Sequence, residues 1–179
     1  ETPDGPIFLW IEQAVVAVSG DMNPDLAIFL FRLVAVAGVV LIMVFVPLLA
    51  RRLRVNGAWA QWVSAANPLF TISFVASGHN DALMVGLALA GTWCALRAGH
   101  PLRPQSAARS AAWGVAGVVL VTLSLGIKPI TLVLLPFIGL LWAGPTAGWI
   151  RRFVFWFLTA GISFGIMAVV GALNGFGFG

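Results

Sequence analysis

An all-α, polytopic transmembrane bundle is the fold class that this chain of 179 residues predicts. Three observations carry the prediction. The composition is 60% hydrophobic and 9% charged, with a mean hydropathy of +1.01; a soluble domain has about a quarter of its residues charged. Apolar runs of spanning or near-spanning length follow one another along the chain. Finally, eight of the ten basic residues fall in three short loops that contain no acid: Arg51, Arg52 and Arg54; Arg97, Arg103 and Arg109; Arg151 and Arg152. Loops beside spanning helices that are rich in Lys/Arg stay on the cytoplasmic side. The rule predicts about six spanning or near-spanning helices, with residues 1–22 as an outer-face juxtamembrane segment and 23–179 as a transmembrane bundle within one larger membrane domain. The net charge of +4 then belongs to loops beside anionic lipid headgroups, which argues for membrane lipids and against nucleic acid as a partner.

Residues 7–18 are apolar except for Glu12 and Gln13 and are short for a crossing. With Asp4 before them and Asp21 after, they predict an interfacial helix on the outer face. Asn23-Pro24-Asp25 is a helix entry: Asn23 as N-cap, Pro24 in the first turn, Asp25 as a favourable first-turn acid. The span at 26–50 follows, apolar except for Arg32, and runs inward to the Arg51 cluster. Residues 58–77 return outward without a charge; Pro68 predicts a kink and Asn67 a buried polar group needing a partner. Gly78-His79-Asn80-Asp81 makes the outer turn, and 82–96 descend to Arg97. The loop from Arg97 to Arg109 carries His100, which reads as solvated. Residues 111–127 climb out again, and Lys128-Pro129 breaks the chain, since the residue before proline is pushed out of the α region. Residues 130–143 descend with a second interruption at Pro136. Residues 153–173 cross outward last, with Gly161 and Gly165 at a spacing that permits close helix contact. Seven of the eight tryptophans, all but Trp10, fall toward the inner leaflet in this topology.

The single cysteine, Cys94, forms no intrachain disulfide. The chain lacks an initiator Met and ends on Gly175-Phe176-Gly177-Phe178-Gly179, so an internal piece of a larger membrane protein is expected. No glycine-rich nucleotide loop, zinc spacing or Ser/His/Asp constellation is present, and no metal or cofactor is expected.

The topology gathers a polar outer face: Asp4, Glu12, Asp21, Asp25, His79, Asn80, Asp81 and Lys128, with Arg32 about two turns below. Ionisable groups at membrane depth are costly and usually functional. Asn80 or Asp81 can simply cap the helix at 82; alternatively His79, Asn80 and Asp81 form a polar lip for a sugar or a base. Arg32 either snorkels or pairs structurally, or it meets a carboxylate or phosphate bidentately. Lys128 is either a headgroup anchor or, with Arg32, a phosphate ligand at the start of the next helix, whose amides would favour an anion.

In order, these features are Thr2-Pro3-Asp4-Gly5-Pro6, Asn23-Pro24-Asp25 before Arg32, Asn67-Pro68-Leu69, Gly78-His79-Asn80-Asp81-Ala82-Leu83 and Gly126-Ile127-Lys128-Pro129. The series resembles the actinobacterial polyprenol-phosphomannose-dependent α-1,6-mannosyltransferases, membrane enzymes of the GT-C class. The resemblance covers nearly the whole chain and is most specific from Asn67 to Ala90. It implies a GT-C-like bundle in the cell membrane with an extracytoplasmic active side. The implied donor is polyprenyl-phosphate-mannose and the implied acceptor a mannan or lipomannan of the cell envelope, with inversion at the anomeric carbon. Relatives often read Thr-Pro-Tyr-Gly-Pro where this chain has Asp4. The catalytic carboxylate of the class usually lies in the first outer loop, which would precede Glu1, leaving Asp81 and Asp4 as weaker candidates. A lipid-linked substrate flippase or secondary transporter would use similar ingredients, but needs polar groups reachable from both faces, and the inner halves of these helices are almost free of them.

Overall fold

The computed structural model describes residues 5–20, 23–65, 81–99 and 106–174. Among them there is no strand. The helices are α1 (Pro6–Ser19), α2 (Pro24–Arg52), α3 (Gly57–Ala65), α4 (Asp81–Ala98), α5 (Ala107–Ile127), a 3-10 segment (Pro129–Leu134), α6 (Leu135–Ala143) and α7 (Trp149–Leu173). By length and composition α2, α4, α5 and α7 can each cross a membrane. The outward run expected at 58–77 starts as α3; its remainder, with Asn67 and Pro68, lies outside the described residues.

Local chemistry sets these boundaries. Asn23 accepts a hydrogen bond from the Leu26 amide at 3.2 Å, Pro24 occupies the first turn and Asp25 follows, so α2 opens as its sequence predicts. It stays helical through Pro47 and closes on Arg51 and Arg52. The chain then turns through Arg54, whose φ of 59° lies in the left-handed region. Asn56 starts α3 by accepting from the amides of Ala58 (2.9 Å) and Trp59 (3.2 Å). Ser106 opens α5 in the same way, accepting from Arg109 N at 3.3 Å.

Glycines set the helix contacts. A Cβ on Gly38 would overlap the backbone of Ala82 and Leu83, so α2 and α4 pack backbone to backbone there. Further along the same pair Phe45 meets Trp93 at 5.6 Å between ring centroids, and Arg52 donates to the Leu96 carbonyl at 3.1 Å. The two helices therefore run parallel. Gly91 and Gly117 allow the same intimacy between α4 and the antiparallel α5, and Ser124 Oγ and Ser110 Oγ tie α5 to the carbonyls of Met84 (2.8 Å) and Ala98 (2.9 Å). Small residues that let backbones approach are the usual adhesive of membrane helices. Trp142 of α6 fills the space left by Gly114 and anchors a core with Ala95, Val118, Val121, Leu135 and Ile138. A buried hydroxyl pair, Thr122 with Ser163 at 2.9 Å, links α5 to α7.

Gly161 and Gly165 have no described neighbour within 4 Å of a Cβ, and among the described residues α7 meets α5 and α6 through Phe155, Thr159 and Ser163. After Lys128-Pro129 the chain does not enter an α-helix. It makes a six-residue 3-10 segment and becomes α only at Leu135, where Pro136 sits in the first turn. The 3-10 segment runs straight on into α6, so one helical stretch, Pro129–Ala143, still starts beside Lys128.

The helix α1 lies across the helix ends remote from the arginine loops. Gly5 N donates to Ile127 O at 2.7 Å, Phe8 packs on Phe31 at 6.3 Å between centroids, and Trp10 Nε1 donates to Asn174 Oδ1 at 2.5 Å. It thus touches the ends of α5, α2 and α7 in turn.

Candidate active site

Two side chains of opposite charge meet beneath α1. Asp81 is the first residue of α4, where a carboxylate suits the helix N-terminus. Lys128 terminates α5 with an extended backbone (φ −142°, ψ 132°), the conformation that the following proline imposes. Its amide still bonds to Ser124 O at 3.1 Å, and its carbonyl is held by Thr131, so the residue is fixed although it has left the helix. Lys128 Nζ pairs with Asp81 Oδ1, and the two side chains are 29% and 33% exposed. One turn away, the Ser124–Met84 bond clamps the two helices that carry the pair.

The end of α1 forms the neighbouring wall. A Cβ on Gly5 would overlap Gly126 O, and one on Gly126 would overlap Ile7, so both glycines are required for α1 to dock beside Lys128. That contact lies next in sequence to the ion pair's lysine. It ties the start of α1 to the end of α5.

Depth follows from the helix rise. Gly38 is level with Ala82 and lies about 21 Å along α2 from Pro24, whereas Arg32 lies about 12 Å along it. The order expected from the sequence is reversed: the Asp81 end of α4 is the deeper position and Arg32 stands nearer the end of the bundle. Measured from Ala98, Asp81 is about 26 Å up α4, just short of a hydrocarbon core of roughly 30 Å. The pair thus stands at the ends of α4 and α5 remote from the arginine loops, and pairing offsets the expense of a charge near hydrocarbon. Arg32 is exposed on the outward face of α2 beside Phe29, Leu33 and Val36, and makes no hydrogen bond or ion pair among the described residues.

Of the residues singled out in the sequence, Asp81 and Lys128 come together, and Arg32 joins them only through the Phe31–Phe8 contact to α1. His79, Asn80 and Asp4 lie outside the described residues. Sequence reasoning gave Asp81 and Lys128 separate roles and missed their pairing. The signal was present, since both mark helix ends that the charge rule puts on one side. The Gly5–Ile127 hook and the Thr122–Ser163 bond had no such signal. Among the described residues no three His, Cys, Asp or Glu side chains gather as a metal site. Chemically, the arrangement offers an ammonium with three donors and a carboxylate that accepts hydroxyl protons, side by side and partly exposed.

Residues 1–144 match the family described as "Alpha-(1->6)-mannopyranosyltransferase, N-terminal domain". A probable alpha-(1->6)-mannopyranosyltransferase of Mycolicibacterium smegmatis is 40% identical over 192 residues, covering 99% of this chain and 34% of that relative. An alpha-(1->6)-mannopyranosyltransferase of Mycobacterium tuberculosis is 34% identical over 215 residues, covering 99% of this chain and 36% of its own length. Alpha-(1->6)-mannopyranosyltransferase A of Corynebacterium glutamicum is 30% identical over 143 residues, 80% of this chain and 26% of that protein. No solved structure matches the chain. The chain spans about a third of the length of the first two relatives. With most of its length matched in one continuous run, this helical bundle belongs to the alpha-(1->6)-mannopyranosyltransferase family.

Proposed function

We propose that the chain contributes the donor-phosphate side of a membrane mannosyltransferase active site. The enzyme takes mannose from polyprenyl-phosphate-mannose and passes it, with inversion, to a mannan or lipomannan acceptor on the extracytoplasmic face. The observation that carries this reading is the Asp81–Lys128 pair, at the bundle end remote from the arginine loops. In the transfer the acceptor hydroxyl attacks the anomeric carbon and the carbon–oxygen bond to phosphate breaks. The electron pair leaves on a phosphate oxygen, and the hydroxyl proton passes to a carboxylate base. Charge builds on the phosphate, and a cation already held in place stabilises it. Lys128 fits that role: with three donors it can keep Asp81 and take a phosphate oxygen as well. Asp81 engages Lys128 through Oδ1 and has a second oxygen for a sugar hydroxyl, alongside His79 and Asn80. Arg32, facing lipid near the end of the bundle, meets the same lipid-borne phosphate from the α2 side.

The exchange of the two charges, Asp81→Lys with Lys128→Asp, tests this reading. A pair that only holds α4 to α5 keeps its attraction when exchanged, weakened by a lysine at the start of α4, so the exchanged protein would fold and transfer mannose at a modestly reduced rate. A phosphate ligand cannot be a carboxylate. We expect the exchanged protein to reach the membrane in normal amounts and to lose transfer from polyprenyl-phosphate-mannose. Normal or modestly reduced transfer would make the pair a structural contact.

A further inference from the structure

The arginine end carries one sign of charge in its sequence: none of the six acidic residues falls in the three arginine loops. Two arginines there converge from different helices. Arg52, at the end of α2, donates one hydrogen bond to Leu96 O (3.1 Å), and Arg152, in the first turn of α7, donates one to Pro145 O (3.1 Å). Both line a single cleft of about 320 Å³ beside the Gly144-Pro145 turn. Each guanidinium has five N–H donors, so one backbone bond fixes its position and leaves most of its donors for a ligand.

The cleft continues into a second one of about 320 Å³, which shares Leu140 and Arg152 with it and is walled by Trp149, Phe153 and Trp156. All three aromatic side chains are exposed on the lipid-facing side of α7, and the Arg152 guanidinium stacks 5.8 Å from the Trp149 ring centroid. The combined shape is two cations at one end and an apolar aromatic trough at the other. It complements a molecule with an anionic head and a hydrocarbon tail.

We infer that Arg52 and Arg152 form a binding site for an anionic membrane phospholipid, its phosphate between the two guanidiniums and an acyl chain along Trp149, Phe153 and Trp156. The inference stands apart from the proposed transferase site, which lies at the opposite end. Guanidinium forks match phosphate oxygens bidentately and are weakly hydrated, so they suit a headgroup pocket better than lysine would. Basic pockets between spanning helices are a recognised form of anionic lipid site.

The test uses the protein in its full native length, extracted in neutral detergent and stripped of lipid. It is reloaded from vesicles of phosphatidylglycerol or of phosphatidylcholine, and bound lipid is read by native mass spectrometry. Phosphatidylglycerol should be retained over phosphatidylcholine by roughly ten- to a hundredfold, the range that charge-assisted contacts supply. Arg52→Gln with Arg152→Gln should abolish that preference. Arg54→Gln with Arg109→Gln removes the same charge outside both clefts and should preserve it. An equal loss in both double variants would mean a general charge effect and overturn the site. If inorganic phosphate displaces the lipid, the site is for the free anion; if polyprenyl phosphate displaces it at equal concentration, the cleft belongs to the donor carrier. If wild-type protein shows no preference, another part of the native protein fills the cleft. Should the Arg52 and Arg152 variant fail to fold, the wild-type competition with phosphatidylcholine, inorganic phosphate and polyprenyl phosphate still decides.

Discussion

The two ends of this bundle solve the same problem, charge beside a hydrocarbon medium, in opposite ways. At the arginine end the charges are of one sign. Arg52 and Arg152 rest on backbone carbonyls, Arg97 lies 4.8 and 4.9 Å from the ring centroids of Trp93 and Trp113, and Arg151 lies 5.4 Å from that of Phe155. Carbonyls and rings hold a guanidinium without neutralising it, so Arg52 and Arg152 keep their positive field for the membrane surface. At the other end a lysine meets a carboxylate on a neighbouring helix and α1 packs against the junction. Neutralising a charge inside the fold allows it to sit deeper than headgroup level, at the expense of a precise geometry. The difference separates orientation from recognition: a like-charged rim tolerates many arrangements, and an ion pair tolerates few.

That contrast is broken most directly at Lys128. Lys128→Met keeps most of the apolar stem and removes the charge; transfer from polyprenyl-phosphate-mannose should fall about ten- to a hundredfold in any lipid. Arg54→Gln, at the opposite end, should leave the rate within about twofold, as surface charges generally do. If the two variants lose activity equally, the ends do not differ in kind. The wall is tested next. Gly5→Val forces a branched side chain into the Gly126 carbonyl, and should lift α1 from α5 while leaving the α2–α4–α5 core folded. We expect about a tenfold loss of transfer, because small misplacements at a reacting centre are costly, together with new protease cleavage near α1. A folded protein with normal transfer would show that α1 is only a surface helix. Asp81→Asn should cost less, about fivefold, since the amide still fits the turn and Lys128 stays anchored by Ser124 and Thr131 through its backbone. A normal rate in that variant would leave Asp81 with a capping role alone.

How far the sequence could be read follows the same division. The helix entry at Asn23, the chain break at Lys128-Pro129, the arginine loops and the apolar runs are local or additive signals. Caps, prolines and summed hydropathy speak for themselves within a few residues. Contacts between helices are not of that kind. Gly161 and Gly165 have a small-residue spacing but no close neighbour among the described residues, whereas Gly38, Gly91 and Gly117, which no spacing rule singled out, set close helix approaches. Which face of a hydrophobic helix turns inward depends on what it meets, and α2 and α4 are apolar all round. Depth was misread for a related reason. The length of α2 suggests that Arg32 is buried below its start, but only the Gly38–Ala82 contact shows that α4 begins deeper still. Opposite charges on helix ends at one side of a bundle were readable as a possible pair, and treating Asp81 and Lys128 as ligands for different groups concealed it.

Arg32 gives the smallest expected effect and the finest test of the contrast, because its environment belongs to neither type. It is a lone basic residue at the end where charges pair, yet it makes no ion pair among the described residues and faces the lipid side of α2. Its neighbour Phe31 packs on Phe8, so the guanidinium is one residue away from the α1 contact that leads to Lys128. If Arg32 serves the membrane surface, as the arginines of the other end do, Arg32→Lys keeps the anchor and Arg32→Gln loses only a generic attraction. Both variants would then transfer mannose at the normal rate, with a dependence on anionic lipid content in the second. If it touches the donor's phosphate, its planar fork matters as well as its charge. We expect Arg32→Gln to raise the KM for polyprenyl-phosphate-mannose by about three- to fivefold with kcat little changed, the signature of lost uniform binding to a lipid-borne group. Arg32→Lys should recover only part of that loss, and varying the anionic lipid of the vesicle should not alter the ratio. A KM that follows vesicle charge instead would move Arg32 into the class of the arginine rim, and would leave Lys128 as the phosphate's one cation among the described residues.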